Sequence, residues 1–208
     1  FVRGLTVNVT DMFRDPSFYR VIREKVVPEL RSHPFIKIWH AGCSTGEEAY
    51  SMAILLREEG LGDRAVIYAT DINSQVLDQA SKGVYHDRML ATAQENYQAS
   101  GARGHFSDFV SVGYERFLID PELKRNIVFT QHDLVTDQVF GEMQMVVCRN
   151  VLIYFRRELQ TKVLTLFHDS LDIGGFMGLG IKESLRSLPN QNRFREIDGP
   201  ARVFQRVD

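Results

Sequence analysis

The chain has 208 residues, enough for one globular domain of ordinary to large size, and its hydrophobic fraction of 44% excludes disorder as the default. Lys+Arg 25 against Asp+Glu 27 gives a formal charge of -2, which excludes a broadly basic nucleic-acid binder. Asp15-Pro16 is the first helix signal, an N-cap followed by proline at the first helical position. Phe18, Ile22 and Val26 follow at four-residue spacing, and Pro28 is expected to kink or end the helix, closing an N-terminal lead-in over 1–34. A short strand comes next at Phe35–Trp39. The small-residue loop Ala41-Gly42-Cys43-Ser44-Thr45-Gly46 then leads into a helix with Ala49, Met52, Ala53 and Leu56 on one face.

The segment Ala65–Thr70 reads as a buried strand ending at Asp71; Asn73 or Ser74 can cap the helix after it, and Gly83 can close that helix. From about Tyr85 to Arg125 the alternation of strand and helix breaks. That stretch is polar with aromatics at Phe106, Phe109, Tyr114 and Phe117, and it predicts a helix followed by a small antiparallel insert over 85–125. Ile127–Phe129 and Met145–Cys148 are further strands. The helix after Arg156 carries Leu159, Val163, Leu166 and Phe167 on one side and is expected to stop at Gly174-Gly175. Phe176–Ile181 and Val203-Phe204 complete the strands. The pattern is an α/β fold, a mostly parallel sheet with helices on both faces and a small antiparallel β insert, with 1–208 taken as a single domain.

In an open α/β sheet, ligands sit beyond the carboxyl ends of the strands, where the Ala41–Gly46 loop lies. Small residues there let backbone approach a ligand, but Glu47 and Glu48 in the first helical turn would repel a phosphate and favour a cation. The G-x-G-x-x-G spacing and the G-K-[ST] ending are both missing. S-adenosylmethionine suits such a site, because its sulfonium and amino groups are positive. Ser44-x-x-Glu47 and Thr45-x-x-Glu48 equally match a capping box, which needs no ligand. Asp71 stands where a carboxylate takes the hydroxyls of an adenosine ribose, and also where one caps the following helix. Asp133 can accept from an adenine amino group or serve as a turn residue.

Four stretches in order carry a resemblance. They are Asn8-Val9-Thr10-Asp11-Met12-Phe13-Arg14-Asp15-Pro16, Trp39–Ser51, Ala69-Thr70-Asp71-Ile72, and Cys148-Arg149-Asn150-Val151-Leu152-Ile153-Tyr154-Phe155. The sequence resembles the CheR-type chemotaxis receptor methyltransferases over nearly its whole length. The resemblance implies a Rossmann-like methyltransferase fold with an inserted β-subdomain. It also implies transfer of a methyl group from S-adenosylmethionine to receptor glutamates, giving methyl esters and S-adenosylhomocysteine. By the same resemblance Asn8, Thr10, Arg14, Ala41, Gly42, Glu47, Asp71, Ile72, Asp133, Leu134, Arg149 and Asn150 would line the cofactor pocket. Arg14, Arg149 and Tyr154 would face the methyl group and the incoming glutamate.

The sequence departs from the family pattern at Asp133-Leu134, where Asn-Leu is usual, and at Phe204-Gln205, where a tyrosine is common. The helical N-terminal domain of full-length members, which contributes a basic surface for the receptor, is not expected in this chain. A glutamate side chain, with a pKa of about 4.3, is already ionised at neutral pH and needs no general base. The demand on the protein is alignment, which an arginine and a tyrosine hydroxyl can meet.

Other features are read blandly. Arg14 can pair with Asp11 or Asp15, and Arg149 can be a solvated turn arginine. Tyr154-Phe155 fits a core or staple position. His86, His105 and His132 read as polar surface, and Lys182-Glu183, which could touch a substrate, reads more simply as exposed charge. The two cysteines, Cys43 and Cys148, form no CxxC, so no metal is expected, and they fit a reducing cytoplasm. No apolar run approaches the ~20 residues of a membrane span, and the first residues lack a signal-peptide core. The expected partner is a chemoreceptor cytoplasmic domain or another signalling protein, with no nucleic acid, no membrane insertion and a monomeric state. A cofactor-binding module without turnover, and the same fold acting on a small molecule, are the competing readings.

Overall fold

The computed structural model of the chain describes residues 10–189 and 191–208. Asp15 and Pro16 open α1 (Pro16–Val21) where the sequence places it, but the Asp15 side chain makes no cap hydrogen bond. Pro28 does not stop the helix at the preceding residue. The chain widens into a π turn over Ile22–Val26 and continues as α2 (Val27–Leu30). Proline has no N–H to donate and its ring crowds the carbonyl four residues back, so a π turn just before it relieves both conflicts.

β1 (Ile36–Ala41) passes through the small-residue loop into α3 (Glu47–Glu58), which returns to β2 (Ala65–Asp71). The Asn73 side chain accepts from the Gln75 N–H at 3.0 Å and caps α4 (Ser74–Lys82), and Gly83 closes it with φ 61. The insert follows: β3 (Val84–His86), α5 (Leu90–Ala99), β4 (Val110–Val112) and β5 (Arg116–Ile119), then the single turn α6 (Pro121–Lys124). Its sheet has the order β3-β5-β4, so a strand precedes the helix as well as following it. Three residues are too few to show a period of two, and β3 was not predicted.

The chain resumes the main sheet with β6 (Ile127–Gln131) and β7 (Met143–Cys148), then α7 (Arg157–Ser170), β8 (Leu171–Leu179), β9 (Phe194–Asp198) and β10 (Val203–Arg206). The order is β6-β2-β1-β7-β8-β10-β9, parallel from β6 to β8 and antiparallel over the last two pairings. α7 ends at Ser170 and not at Gly174-Gly175. Leu171 already pairs with Met143, and the two glycines lie in the irregular stretch between that pair and Met145↔Phe176. Strands covered on both faces read as apolar runs, as β7 does. One core holds Phe13, Phe18, Tyr50, Leu55, Phe106 and Phe117; the other, on the α7 face, holds Trp39, Val146, Val163, Phe167, Met177 and Phe204. Among the described residues no helix is long and apolar enough to cross a membrane.

Candidate functional site

β6, β2, β1 and β7 lie side by side and parallel, so their carboxyl ends open onto one edge of the sheet. The connection from β1 runs to β2 on one side, while β7 flanks β1 on the other, and the strand order reverses between β1 and β7. Open α/β sheets take their ligands at such a reversal.

Ala41, buried, ends β1. The loop after it is pinned across to β2: the Gly42 and Cys43 N–H groups both donate to the Thr70 carbonyl at 2.8 Å, and the Ser44 N–H to Asp71 Oδ2 at 3.0 Å. Gly42 has φ +77, and a Cβ there would meet Val151 Cγ2 at 2.5 Å. Only glycine lets this loop lie against the segment that follows β7.

The capping boxes open in the sequence are not formed, because Gly46 is the N-cap of α3 and offers no side chain. The Thr45 hydroxyl instead contacts both Glu47 oxygens, at 2.8 and 2.7 Å. Glu47 is 4% exposed and, among the described residues, takes part in no salt bridge. Burial pushes its carboxyl up from 4.5 to about 7, against the lowering effect of the Thr45 hydroxyl. A buried acid with no cation beside it is costly to ionise and is matched by a ligand that brings a positive charge.

Asp71 accepts the Ser44 N–H on Oδ2 and the Asn73 N–H on Oδ1, each at 3.0 Å. A carboxylate offers about four acceptor positions, so both oxygens retain capacity for ligand hydroxyls. Ile72 beside it is exposed, giving apolar surface at the same edge. Past β6, Asp133 Oδ1 accepts the Val135 N–H at 2.8 Å, a turn role that leaves its other oxygen available, and Leu134 is buried behind it.

Past β7 the arrangement differs from a solvated turn arginine. The Arg149 side chain is 2% exposed, with Nη2 at 2.6 Å from Asp15 Oδ2 and Nη1 at 3.0 Å from Glu48 Oε2. Nη2 also donates to the Arg14 carbonyl at 3.1 Å, and the guanidinium carbon lies 4.4 Å from the Phe18 ring centre. Burial works against the Arg149 charge, but Glu48 and Asp15 outweigh it and hold the group above the ordinary arginine value. Burial likewise raises Glu48, yet its hydrogen bond with His40 at 2.9 Å and the Arg149 charge leave it below the usual carboxylate range. Asp15, read as a helix cap, spends its carboxylate on Arg149.

Arg14 lies between two non-glycine residues in the left-handed region, Phe13 at φ 53 and Asp15 at φ 56. Each costs about 1–3 kcal/mol and persists only where its surroundings enforce it. The enforcing contacts are the Phe13 N–H to Ser51 Oγ at 2.8 Å, Asn96 Nδ2 to the Met12 carbonyl at 3.1 Å, and Arg149 on Asp15. Thr10 is half-buried at the start of this segment, and Asn8 lies outside the described residues. Asn150 has φ 62, and Tyr154, 57% exposed, ends the turn Leu152–Tyr154.

Other bland readings fail as well. Glu183 is buried, with its carboxylate turned onto the backbone after β7, and His132 is buried against Trp39 at 5.1 Å between ring centres. Neither burial has a local sequence signal beyond the apolar strands that precede these residues. Among the described residues no cluster of His, Cys, Asp and Glu is built to hold a metal.

A small-residue loop with a buried acid that has no salt bridge among the described residues, a second acid on the neighbouring strand and a third past β6 is a set of acceptors that fits S-adenosylmethionine. The family described as CheR methyltransferase, SAM binding domain, matches residues 8–203. The chain belongs to this family. This CheR-family domain is 49% identical over 202 residues to the Cher3 protein of Pseudomonas putida, covering 97% of this chain and 74% of that protein. It is 35% identical over 188 residues to the chemotaxis protein methyltransferase of Listeria innocua, covering 89% of this chain and 68% of the relative. TrmN from Thermus thermophilus shares the fold, with a TM-score of 0.52 at 18% identity over 93% of this chain and 53% of that one. The CheR-family domain is therefore an S-adenosylmethionine-dependent methyltransferase with the Rossmann-like, mostly parallel sheet and small antiparallel insert that its sequence implies.

Proposed function

We propose that this CheR-family domain methylates glutamate side-chain carboxylates of chemotaxis receptors, forming methyl esters and S-adenosylhomocysteine. The observation that carries the reading is the kind of polar group at the site edge. Arg149, buried past β7, holds the Arg14 carbonyl and the exposed Tyr154 follows five residues on, while the imidazoles of His40 and His132 are engaged inside the protein, on Glu48 and against Trp39. A hydroxyl or amine acceptor would call for a base; a carboxylate, ionised at neutral pH, calls only for orientation. Relatives named as chemotaxis protein methyltransferases support a methyl acceptor that belongs to chemotaxis.

Glu47 would hold the cofactor's ammonium, Asp71 its ribose hydroxyls, and Asp133 with Leu134 and Ile72 its adenine. When bound, S-adenosylmethionine supplies an electrophilic methyl group. Arg14 and the Tyr154 hydroxyl would orient the acceptor. Arg149 would act one step back, holding the Arg14 carbonyl while its charge is balanced by Asp15 and Glu48. That division leaves a single arginine to meet the carboxylate, so two guanidinium charges do not combine to quench the nucleophile. Incubation with labelled S-adenosylmethionine and receptor-bearing membranes is expected to give base-labile label released as methanol. Tight cofactor binding without transfer would identify a binding module with no turnover.

The Glu47 assignment has a pH signature. An ammonium stabilises the carboxylate form, so binding weakens as Glu47 takes up a proton below its folded value of about 7. The Kd of S-adenosylhomocysteine, measured by calorimetry, is expected to rise about tenfold from pH 8 to pH 6. A flat profile would remove Glu47 from the ammonium site.

A further inference from the structure

The parallel ladder between β7 and β8 ends at Cys148↔Leu179. Beyond it the chain turns through Asn150, and the next three amides have no strand to pair with. One side chain meets all three. Glu183 Oε2 accepts the Asn150 N–H at 3.1 Å, and Oε1 accepts those of Val151 at 2.9 Å and Leu152 at 2.8 Å. Oε2 also takes the Gly180 N–H at 2.6 Å, and the Glu183 N–H returns to the Gly180 carbonyl at 2.8 Å, so the acid is itself fixed. Glu183 is 4% exposed and, among the described residues, has no salt-bridge partner. A buried carboxylate is tolerated when several N–H groups share its charge.

We propose that Glu183 is a positioning residue for methyl transfer, replacing the missing strand partner and locking residues 150–152. The locked segment follows directly on Arg149, backs onto the cofactor loop where Val151 meets Gly42, and leads into Tyr154. Its displacement moves the acceptor-facing side chains relative to the cofactor loop. The inference rests on the methyltransfer reading of this edge and adds to it the group that sets its geometry.

Glu183→Gln keeps the size but leaves one acceptor oxygen and turns an NH2 toward N–H donors. Gly180→Ala is the second variant, since its Cβ would meet Glu183 Oε2 at 2.7 Å and Asn150 N at 2.9 Å, displacing the carboxylate without removing its charge. In both, kcat for methyl transfer is expected to fall about 10- to 100-fold, while the S-adenosylhomocysteine Kd stays within about threefold. Amide hydrogen exchange should lose protection at 150–152 and keep it in β1, β2 and β7. Activity loss that follows only the unfolded fraction by circular dichroism, or unchanged kcat with protection lost, overturns the proposal. If the wild-type domain transfers no methyl group, the acceptor reading fails alone. The locking role is then decided by exchange, and protection at 150–152 that survives Glu183→Gln overturns it.

Discussion

Replacing Arg149 with alanine is expected to lower stability by about 3 kcal/mol, at the lower end for removing one partner of a buried ion pair. The guanidinium is enclosed, and the change strips Asp15 of its Arg149 partner and leaves Glu48 with only its His40 hydrogen bond. Those carboxylates are 28% and 20% exposed, so water compensates part of the loss and the upper end of the range is not reached. For a domain of this size the melting temperature should drop roughly 6–12 °C. Most of the penalty belongs to the stranded acids. The triple variant Arg149→Met, Asp15→Asn, Glu48→Gln is therefore expected to recover most of the stability without recovering activity. At a temperature where Arg149→Ala stays folded, methyl transfer should fall more than cofactor binding, because the grip on the Arg14 carbonyl is lost. Equal melting temperatures would refute the structural role, and equal transfer rates the functional one.

What the sequence made legible follows the range of the interactions. The apolar runs of β1, β2 and β7, the Asn73 cap and the Gly83 stop are local signals, and each falls where periodicity and turn chemistry put it. The loop from Ala41 to Gly46 was readable because small residues, two acids and a strand end coincide within ten positions. Contacts between residues far apart in the chain were not readable. Asp15 has the local form of a helix cap, yet its carboxylate goes to Arg149, 134 positions away, once β7 brings that arginine alongside α1. Glu183 looks like surface charge because nothing near it announces three unpaired amides 31 to 33 residues earlier. β3 is visible only through β5, its partner across α5. Long-range pairing overrides local propensity at each of these places, and two of them bear on the site.

Glu47→Gln is expected to move stability and cofactor affinity in opposite directions. Folding lifts the Glu47 carboxyl from 4.5 to about 7, so ionising it in the folded state works against folding. The cost is absent below the unfolded value, grows as pH rises from 4.5 to 7, and is complete above 7, where it amounts to about 3 kcal/mol. Glutamine carries no charge to desolvate and still offers the Thr45 hydroxyl an acceptor. The variant without ligand should therefore be the more stable protein at pH 8, by up to about 3 kcal/mol, with most of the advantage gone at pH 5. Cofactor binding should move the other way. A charged hydrogen bond contributes about 1.5–3 kcal/mol, so losing the anion opposite an ammonium should raise the S-adenosylhomocysteine Kd at pH 8 by roughly 10- to 100-fold. The pH dependence of that Kd should vanish with it. Urea unfolding at the two pH values and calorimetric titration separate the effects. A variant that loses stability at pH 8 would mean that the folded protein already holds a cation against Glu47. A variant that binds cofactor as tightly as the parent would mean that the buried acid serves the fold alone.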